Sequence, residues 1–141
     1  EKKVYSSTNI RKYIELGDLY KVKTDLGRYY SIQGRITHGN KLGRTLGFPT
    51  ANIFLGEHIR PKYGVYAVRV YFVDDCERHS VNGVASIGIR PTIGGKNELL
   101  EVFIFNFKDT IYGQRVKVDL IEYLRPEIKF NNLAKFFYFM V

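Results

Sequence analysis

A period-two alternation of apolar and polar residues constrains the fold of this chain most strongly. Apolar residues recur at every second position from 66 to 72 and again from 116 to 120. Successive side chains of a strand point to opposite faces, so this period predicts strands with one buried face. Because no helical pattern separates the strands, we predict an antiparallel barrel or sandwich. The predicted strands are rich in β-branched and aromatic residues and cover 30–37, 65–73, 80–87, 99–107 and 115–123.

Short helices are predicted at both ends of the chain. A first helix, capped by Ser7 or Thr8, is expected to end at Gly17, and a second is expected to begin after Asp18 and to end at Gly27. Both have narrow apolar faces, which favours the end of a larger unit over an independent domain. A C-terminal helix is predicted from the helical spacing of Leu133, Phe136, Phe137 and Met140.

Composition bounds the possible partners and the compartment. The net charge of +8 favours anionic partners such as nucleotides, nucleic acid or acidic membrane surfaces, without choosing among them. The single cysteine, Cys76, cannot form an intrachain disulfide, which suits a reducing compartment. No signal peptide and no apolar segment of membrane-spanning length are visible. We therefore expect a cytoplasmic chain with no membrane partner.

A glycine-rich segment, residues 34–52, reads GRITHGNKLGRTLGFPTAN and combines four glycines with three cations. Glycine allows backbone N–H groups to approach an anion closely, and successive N–H groups form anion-binding nests. Thr50 and Asn52 carry oxygens suited to Mg²⁺, and both lie on one face if a strand begins at Thr50. The segment matches neither a Walker loop nor G-x-G-x-x-G. It predicts either a site for a polyphosphate and its metal or a hairpin whose glycines only form turns.

Glu101 is the strongest candidate for a catalytic residue. It lies in the apolar strand predicted at 99–107, on the face that carries Leu99 and Phe103. Burial of an unpaired carboxylate raises its pKa, and such a group can act as a general base near neutrality. Two alternatives stay open at this point: a structural glutamate paired with a nearby arginine, and a solvated residue at the barrel rim.

Residues 46–52, LGFPTAN, resemble the Pro-Thr-Ala-Asn signature of riboflavin kinases. Similar motifs follow in the family's order at 64–66 (GVY), 87–92 (IGIRPT), 100–103 (LEVF), 111–113 (IYG) and 124–130 (LRPEIKF). The resemblance covers residues 28 to 133. It implies a mainly β fold: a small closed antiparallel Greek-key barrel with a C-terminal helix and short N-terminal helices. The implied reaction is phosphoryl transfer from Mg–ATP to the 5′-hydroxyl of riboflavin, giving FMN and ADP.

The resemblance also implies roles for individual residues. Glu101 would be the catalytic base, Thr50 a metal ligand, and Asn52 a metal ligand or an orienting group for the base. Arg125 is implied on the flavin side, with a surface salt bridge to an acidic neighbour as the alternative. Arg90 could hold a loop together or contact nucleotide. The implied ATP-binding residues are Gly34, Gly39, Gly43, Arg44, Gly47, Thr50, Asn52, Tyr112 and Gly113.

The N-terminal residues carry a second resemblance. Residues 6–11, SSTNIR, resemble the motif that closes the adenylyltransferase module of bifunctional FAD synthetases, whereas the His-x-Gly-His signature of that module is absent from the chain. We therefore expect 1–27 to be a helical remnant of such a module and 28–141 to be the riboflavin kinase domain. The adenylyltransferase module of the same parent chain is an expected partner, and FAD synthesis is not expected from this fragment.

Two other functions fit parts of the sequence. A non-catalytic flavin-binding module would share the motifs, and a basic barrel with 11 tyrosines and 10 phenylalanines could bind nucleic acid. However, most aromatic residues fall at core-facing positions of the alternation, and nucleic-acid binding does not explain the glycine-rich segment. We therefore expect small-molecule substrates and no nucleic-acid partner.

Overall fold

The computed structural model describes residues 7–38, 50–75, 77, 79–92, 95–104 and 111–127. In that part of the chain, two helices precede seven strands that form one antiparallel sheet. The helices are α1 (Ser7–Leu16) and α2 (Leu19–Leu26). The strands are β1 (Ser31–Arg35), β2 (Thr37–His38), β3 (Thr50–Phe54), β4 (Gly64–Phe72), β5 (Val81–Thr92), β6 (Gly95–Ile104) and β7 (Arg115–Arg125).

The strand order is that of a Greek-key barrel. The spatial order is β1-β7-β4-β5-β6-β3-β2, so β7 returns beside β4 after the consecutive strands β4, β5 and β6. Only Ile36 separates β1 from β2, and the two act as one bent strand that pairs with β7 on one side and β3 on the other. The result is a nearly closed barrel of six strands, and the predicted fold class is confirmed. The predicted C-terminal helix lies outside the described residues.

The barrel interior is filled by the alternating apolar residues that the sequence indicates. Alternate residues from Tyr66 to Phe72 and from Val116 to Leu120 are all buried in one cluster. Gly34 of β1 lies against Ile53 of β3, because a Cβ at Gly34 would lie 2.7 Å from Ile53 Cγ2. The barrel therefore closes where β1 approaches β3, and this approach requires a glycine.

Both N-terminal helices begin and end where the sequence predicts. Asp18 caps α2 by accepting a hydrogen bond from the Lys21 backbone N–H at 3.3 Å. Gly17 and Gly27 end the helices with φ of 76° and 79°, in the left-handed region that favours glycine. The Lys62 backbone N–H donates to the Ile14 carbonyl at 3.2 Å, which ties α1 to the segment before β4. Neither described helix is long and apolar enough to cross a membrane.

Two strands and one carboxylate differ from the sequence predictions. Residues 50–54 lie outside the predicted strands, yet they pair with β6 to form β3. β5 extends to Thr92 because its last residues pair in register with the start of β6. The alternation predicts a polar face for Asp119, which does lie between the core residues Val118 and Leu120, but it is only 7% exposed. Burial raises the pKa of Asp119, and the nearby Lys117 opposes this shift.

Candidate active site

A cross-strand row of residues brings the main candidates together. Glu101 of β6 lies directly opposite Asn52 of β3 on one side and Ser86 of β5 on the other. Asn52 in turn lies opposite Thr37 of β2. Directly opposed residues of antiparallel strands have their Cβ atoms roughly 4.5–5.5 Å apart. The register of three strands therefore places Ser86, Glu101 and Asn52 next to one another, although they are far apart in sequence.

This row lies on the outer face of the barrel, because its chain neighbours fill the interior. Ala51 and Val102, which flank Asn52 and Glu101, belong to the core cluster. Glu101 is nevertheless only 7% exposed, and Ser86 beside it is 1% exposed. Burial outside the barrel interior rules out the solvated rim position for Glu101. A buried carboxylate at this place meets the first requirement of a general base with a raised pKa.

Arg90 is the charged neighbour of Glu101. Its Nε lies 3.6 Å from Glu101 Oε2, so the arginine partner considered from the sequence is present. Burial raises the pKa of Glu101, and the positive charge of Arg90 opposes the shift without cancelling it. Arg90 also donates a hydrogen bond to Ser86 Oγ at 2.8 Å and pairs with Glu127. The site therefore holds a buried carboxylate beside a fixed guanidinium.

Asn52 and Thr50 occupy alternate positions of β3, as expected if the strand begins at Thr50. Thr50 pairs with Phe103, and its side chain lies outside the described part of the structure. The hydroxyl of Thr37 donates to the Asn52 carbonyl at 3.1 Å and ties β2 to β3 here. No cluster of three or more His, Cys, Asp or Glu among the described residues could hold a metal. The oxygens of Thr50 and Asn52 do suit Mg²⁺, which takes one or two protein ligands beside substrate phosphates and water.

The turn that carries Tyr112 and Gly113 lies beside the bend between β1 and β2. The Gly113 N–H donates to the Ile36 carbonyl at 2.8 Å, and Arg35 Nη1 donates to the Gly113 carbonyl at 3.0 Å. Ile36 is one residue from Thr37, the cross-strand neighbour of Asn52. The structure thus places this turn near the end of the row that carries Asn52.

Arg125 lies at the opposite end of the same row. It is exposed at the end of β7, opposite Val65, and Val65 lies opposite Ser86. The row therefore runs from Arg125 through Val65 and Ser86 to Glu101 and Asn52. The contact of Arg125 with flavin stays a prediction.

The remaining predicted ATP-binding residues are not brought to the row by the described structure. Gly34 packs against Ile53 inside the barrel, so its glycine requirement has a packing cause, and a role in ATP binding stays a prediction. The other four, Gly39, Gly43, Arg44 and Gly47, lie outside the described residues.

Sequence reasoning did not identify Ser86 or the pairing of Arg90 with Glu127. Ser86, Gly88 and Arg90 occupy alternate positions of β5, so the period of two could have placed them on one face. The neighbours of that face depend on the register between β5 and β6, which the chain alone does not reveal. Glu127 pairs with Arg90 across 37 positions of sequence, and no local pattern indicates that contact.

An open groove of about 530 Å³ lies beside the row at one end of the barrel. Phe54, two residues beyond Asn52, forms part of its wall together with Ile89 and Tyr63. Glu98 accepts hydrogen bonds from Arg60 Nε at 3.0 Å and from the Tyr63 hydroxyl, which holds this wall in place. The lining of the groove does not include Glu101 or Asn52.

Comparisons with known proteins identify a family for this chain. The family model of riboflavin kinase matches residues 26–138. A bifunctional riboflavin kinase/FMN adenylyltransferase of Haemophilus influenzae is 50% identical over 125 residues, which cover 89% of this chain and 40% of that protein. The protein of the same description from Escherichia coli K12 is 39% identical over 128 residues, covering 91% of this chain and 40% of that protein.

A solved structure supports the fold over nearly the whole chain. The crystal structure described as a macrolide-efflux protein from Streptococcus pneumoniae superposes with a TM-score of 0.81 at 35% identity, covering 99% of this chain and 45% of that one. Its description differs from that of the curated relatives, and the family match rests on the family model and those relatives. The chain spans about two fifths of the length of the curated relatives it matches.

Proposed function

Because the chain belongs to the riboflavin kinase family, we propose that it transfers the γ-phosphoryl group of ATP to the 5′-hydroxyl of riboflavin, giving FMN and ADP. The observation that carries the proposal is the buried carboxylate of Glu101 directly opposite Asn52. This pair combines a proton acceptor with an oxygen ligand on two adjacent strands. Strands of a barrel hold such groups more rigidly than loops do, and phosphoryl transfer depends mainly on positioning and charge neutralisation.

Glu101 acts as the general base in this proposal. It accepts the proton of the ribityl 5′-hydroxyl while that oxygen bonds to the γ-phosphorus and the bond to the ADP oxygen breaks. Burial raises the pKa of Glu101, which brings its basicity closer to neutral pH. Asn52, directly opposite, orients either the carboxylate or the phosphate oxygens.

Thr50 and Asn52 are the residues that would hold Mg²⁺ with ATP. The ion supplies neutralisation of the negative charge that the β- and γ-phosphates carry. Their placement on alternate positions of one short strand supports this assignment, since both then belong to the same face.

The ends of the row suggest where the two substrates bind. On the ATP side we assign Tyr112 and Gly113, whose turn borders the β1–β2 bend, and the glycine segment with Arg44 as its main cation. On the flavin side we assign Arg125, at the other end of the row. The apolar groove wall formed by Phe54 and Ile89 offers a surface for a planar aromatic ring.

We further propose that residues 1–27 belong to the end of an adenylyltransferase module and that 28–141 form the kinase domain of a cytoplasmic protein. The described helices are consistent with this boundary, since Gly27 ends α2 before the first strand. An adenylyltransferase module of the same parent chain is the proposed partner.

A product assay tests the proposed function. The chain is incubated with riboflavin, ATP and Mg²⁺, and the flavins are separated by chromatography; we expect FMN to accumulate. A parallel reaction with FMN and ATP is expected to give no FAD. Absence of FMN from a folded preparation would contradict the kinase assignment, whereas FAD in the second reaction would contradict only the proposed module boundary.

A further inference from the structure

Every nitrogen of the Arg90 guanidinium faces a defined partner. Nη2 donates to Ser86 Oγ at 2.8 Å, and Nη1 donates to the Ile89 carbonyl at 2.9 Å and pairs with Glu127. The remaining nitrogen, Nε, lies 3.6 Å from Glu101 Oε2. A guanidinium is planar and rigid, so these four partners fix its orientation as well as its position. Arg90 is therefore held in place before any substrate binds.

The backbone of β5 makes room for this arrangement. Gly88 lies between Ser86 and Arg90 on the same face of the strand. A Cβ at Gly88 would lie 2.8 Å from Arg90 Nη1 and would overlap the Glu127 carboxylate. A side chain at position 88 would therefore displace the ends of Arg90 and Glu127 from the positions in which they pair.

Arg90 lies close enough to Glu101 to orient its carboxylate without forming a normal hydrogen bond with it. A separation of 3.6 Å exceeds the range of a normal hydrogen bond. The guanidinium attracts the carboxylate electrostatically, and the carboxylate retains the capacity to accept a proton. Glu127, which anchors Arg90, follows Arg125 by two residues, and Arg125 is the residue assigned to the flavin side.

We propose that Arg90 is a positioning residue for the transfer reaction, which fixes the orientation of the Glu101 carboxylate and is itself held by Ser86 and Glu127. This inference rests on the proposed function, because it assigns Glu101 the task of accepting a proton from substrate. Through Glu127, Arg90 connects the flavin-side end of β7 with the base. Arg90 does not touch the reacting atoms in this assignment; it acts through Glu101.

Substitutions of Arg90, Glu127 and Gly88 test the proposal. Arg90→Lys keeps the charge but replaces the rigid fork with one ammonium group that cannot reach all partners in the same geometry. Displacements of about 1 Å near a reacting centre cost up to about 100-fold in rate, so we expect a 10- to 100-fold lower single-turnover rate of FMN formation. KM for ATP and riboflavin should stay near wild type. Glu127→Gln and Gly88→Ala should lower the same rate to a smaller extent.

A control variant removes an exposed ion pair that contains no residue of the row. Asp74 pairs with Arg115 at 2.9 Å, and both side chains are more than half exposed. Asp74→Asn should leave the single-turnover rate and both KM values unchanged. Melting temperature is measured for every variant, and the rate is expressed per folded molecule.

The outcomes separate the possible roles of Arg90. A lower rate with unchanged KM in Arg90→Lys, reproduced in part by Glu127→Gln, supports positioning. A raised KM for ATP with an unchanged rate would show direct contact with nucleotide and overturn the proposal. A lower melting temperature with a normal rate per folded molecule would show a purely structural role and also overturn it. If wild type forms no FMN, both this inference and the proposed function fail; if wild type forms FMN and Arg90→Lys is unimpaired, only this inference fails.

Discussion

Substitution of Gly34 by alanine tests whether this glycine serves barrel closure or nucleotide binding. A Cβ at position 34 would lie 2.7 Å from Ile53 Cγ2, well inside van der Waals contact. Ile53 is 1% exposed and its β-branch is rigid, so it cannot move away without displacing other core residues. Gly34→Ala should therefore destabilise the fold through this one contact.

Two opposing effects set the magnitude. Overpacking in a well-packed core costs about 1–3 kcal/mol. Alanine within a strand gains about 0.5–1 kcal/mol over glycine, because the unfolded chain loses less backbone entropy on folding. The net effect is a loss of about 1.3 kcal/mol when the middle of each range is taken. With an unfolding entropy of about 2.1 cal/mol/K per residue, the 141 residues give about 0.3 kcal/mol/K, so the melting temperature should fall by about 4 °C.

A double-mutant cycle with Ile53→Leu isolates the contact. Leucine keeps the volume of isoleucine but lacks the methyl group on Cβ that meets position 34, at a cost below about 1.5 kcal/mol. In the Ile53→Leu background, Gly34→Ala should no longer destabilise the fold and should be neutral or stabilising. Thermal unfolding of the four proteins measures this coupling.

The same proteins test the predicted ATP-binding role of Gly34. If the packing argument is correct, KM for ATP is unchanged in Gly34→Ala, and the loss of stability disappears in the Ile53→Leu background. An equal loss of stability in both backgrounds would refute the contact with Ile53 as the cause. A raised KM for ATP in both backgrounds would support the nucleotide role instead.

Two further predictions concern the site and a buried carboxylate outside it. Asn52→Ala and Thr50→Ala should each lower turnover by more than about tenfold, equivalent to about 1.4 kcal/mol of barrier, with little change in melting temperature; unchanged turnover and ATP affinity in both would refute the metal site. Burial raises the pKa of Asp119, so folding favours its protonated form, and wild type loses stability as pH rises above the ordinary aspartate value of 3.8. Asp119→Asn should therefore be more stable than wild type by a larger margin at about pH 7 than at about pH 4. A difference in melting temperature that does not depend on pH would contradict this.

The sequence indicates much of the fold because its signals are local. The alternation from Tyr66 to Phe72 defines a buried face without knowledge of any partner strand. Asp18 and Gly27 likewise bound α2 through contacts within a few residues. Such features depend on backbone geometry, which the neighbouring residues determine.

The features that sequence reasoning missed depend on contacts between distant segments. The sequence analysis considered a strand beginning at Thr50 only as a condition, and β3 is established by the pairing of residues 50–54 with β6. Asp119 lies on the outer side of β7 as the alternation predicts, but its burial depends on what packs over that side. Glu101 could be proposed as a buried base from its apolar strand, whereas its placement opposite Asn52 follows from register between strands.

In the proposed reaction, Glu101 accepts a proton in the transfer of phosphate to riboflavin. Glu101→Gln keeps the size of the side chain and removes its capacity to accept that proton at neutral pH. General-base assistance contributes about 100- to 10,000-fold, so the rate of FMN formation in a single turnover should fall by that factor. Because burial disfavours the charged carboxylate, the melting temperature should hold or rise slightly.

Single-turnover FMN formation and melting temperature are therefore measured on one preparation of Glu101→Gln. If the salt bridge with Arg90 were the sole role of Glu101, the variant would be less stable and its folded fraction would keep full activity. If Glu101 is the general base, the variant is a stable protein that forms FMN at least about 100-fold more slowly than wild type. A normally folded Glu101→Gln variant with the full single-turnover rate would contradict this role.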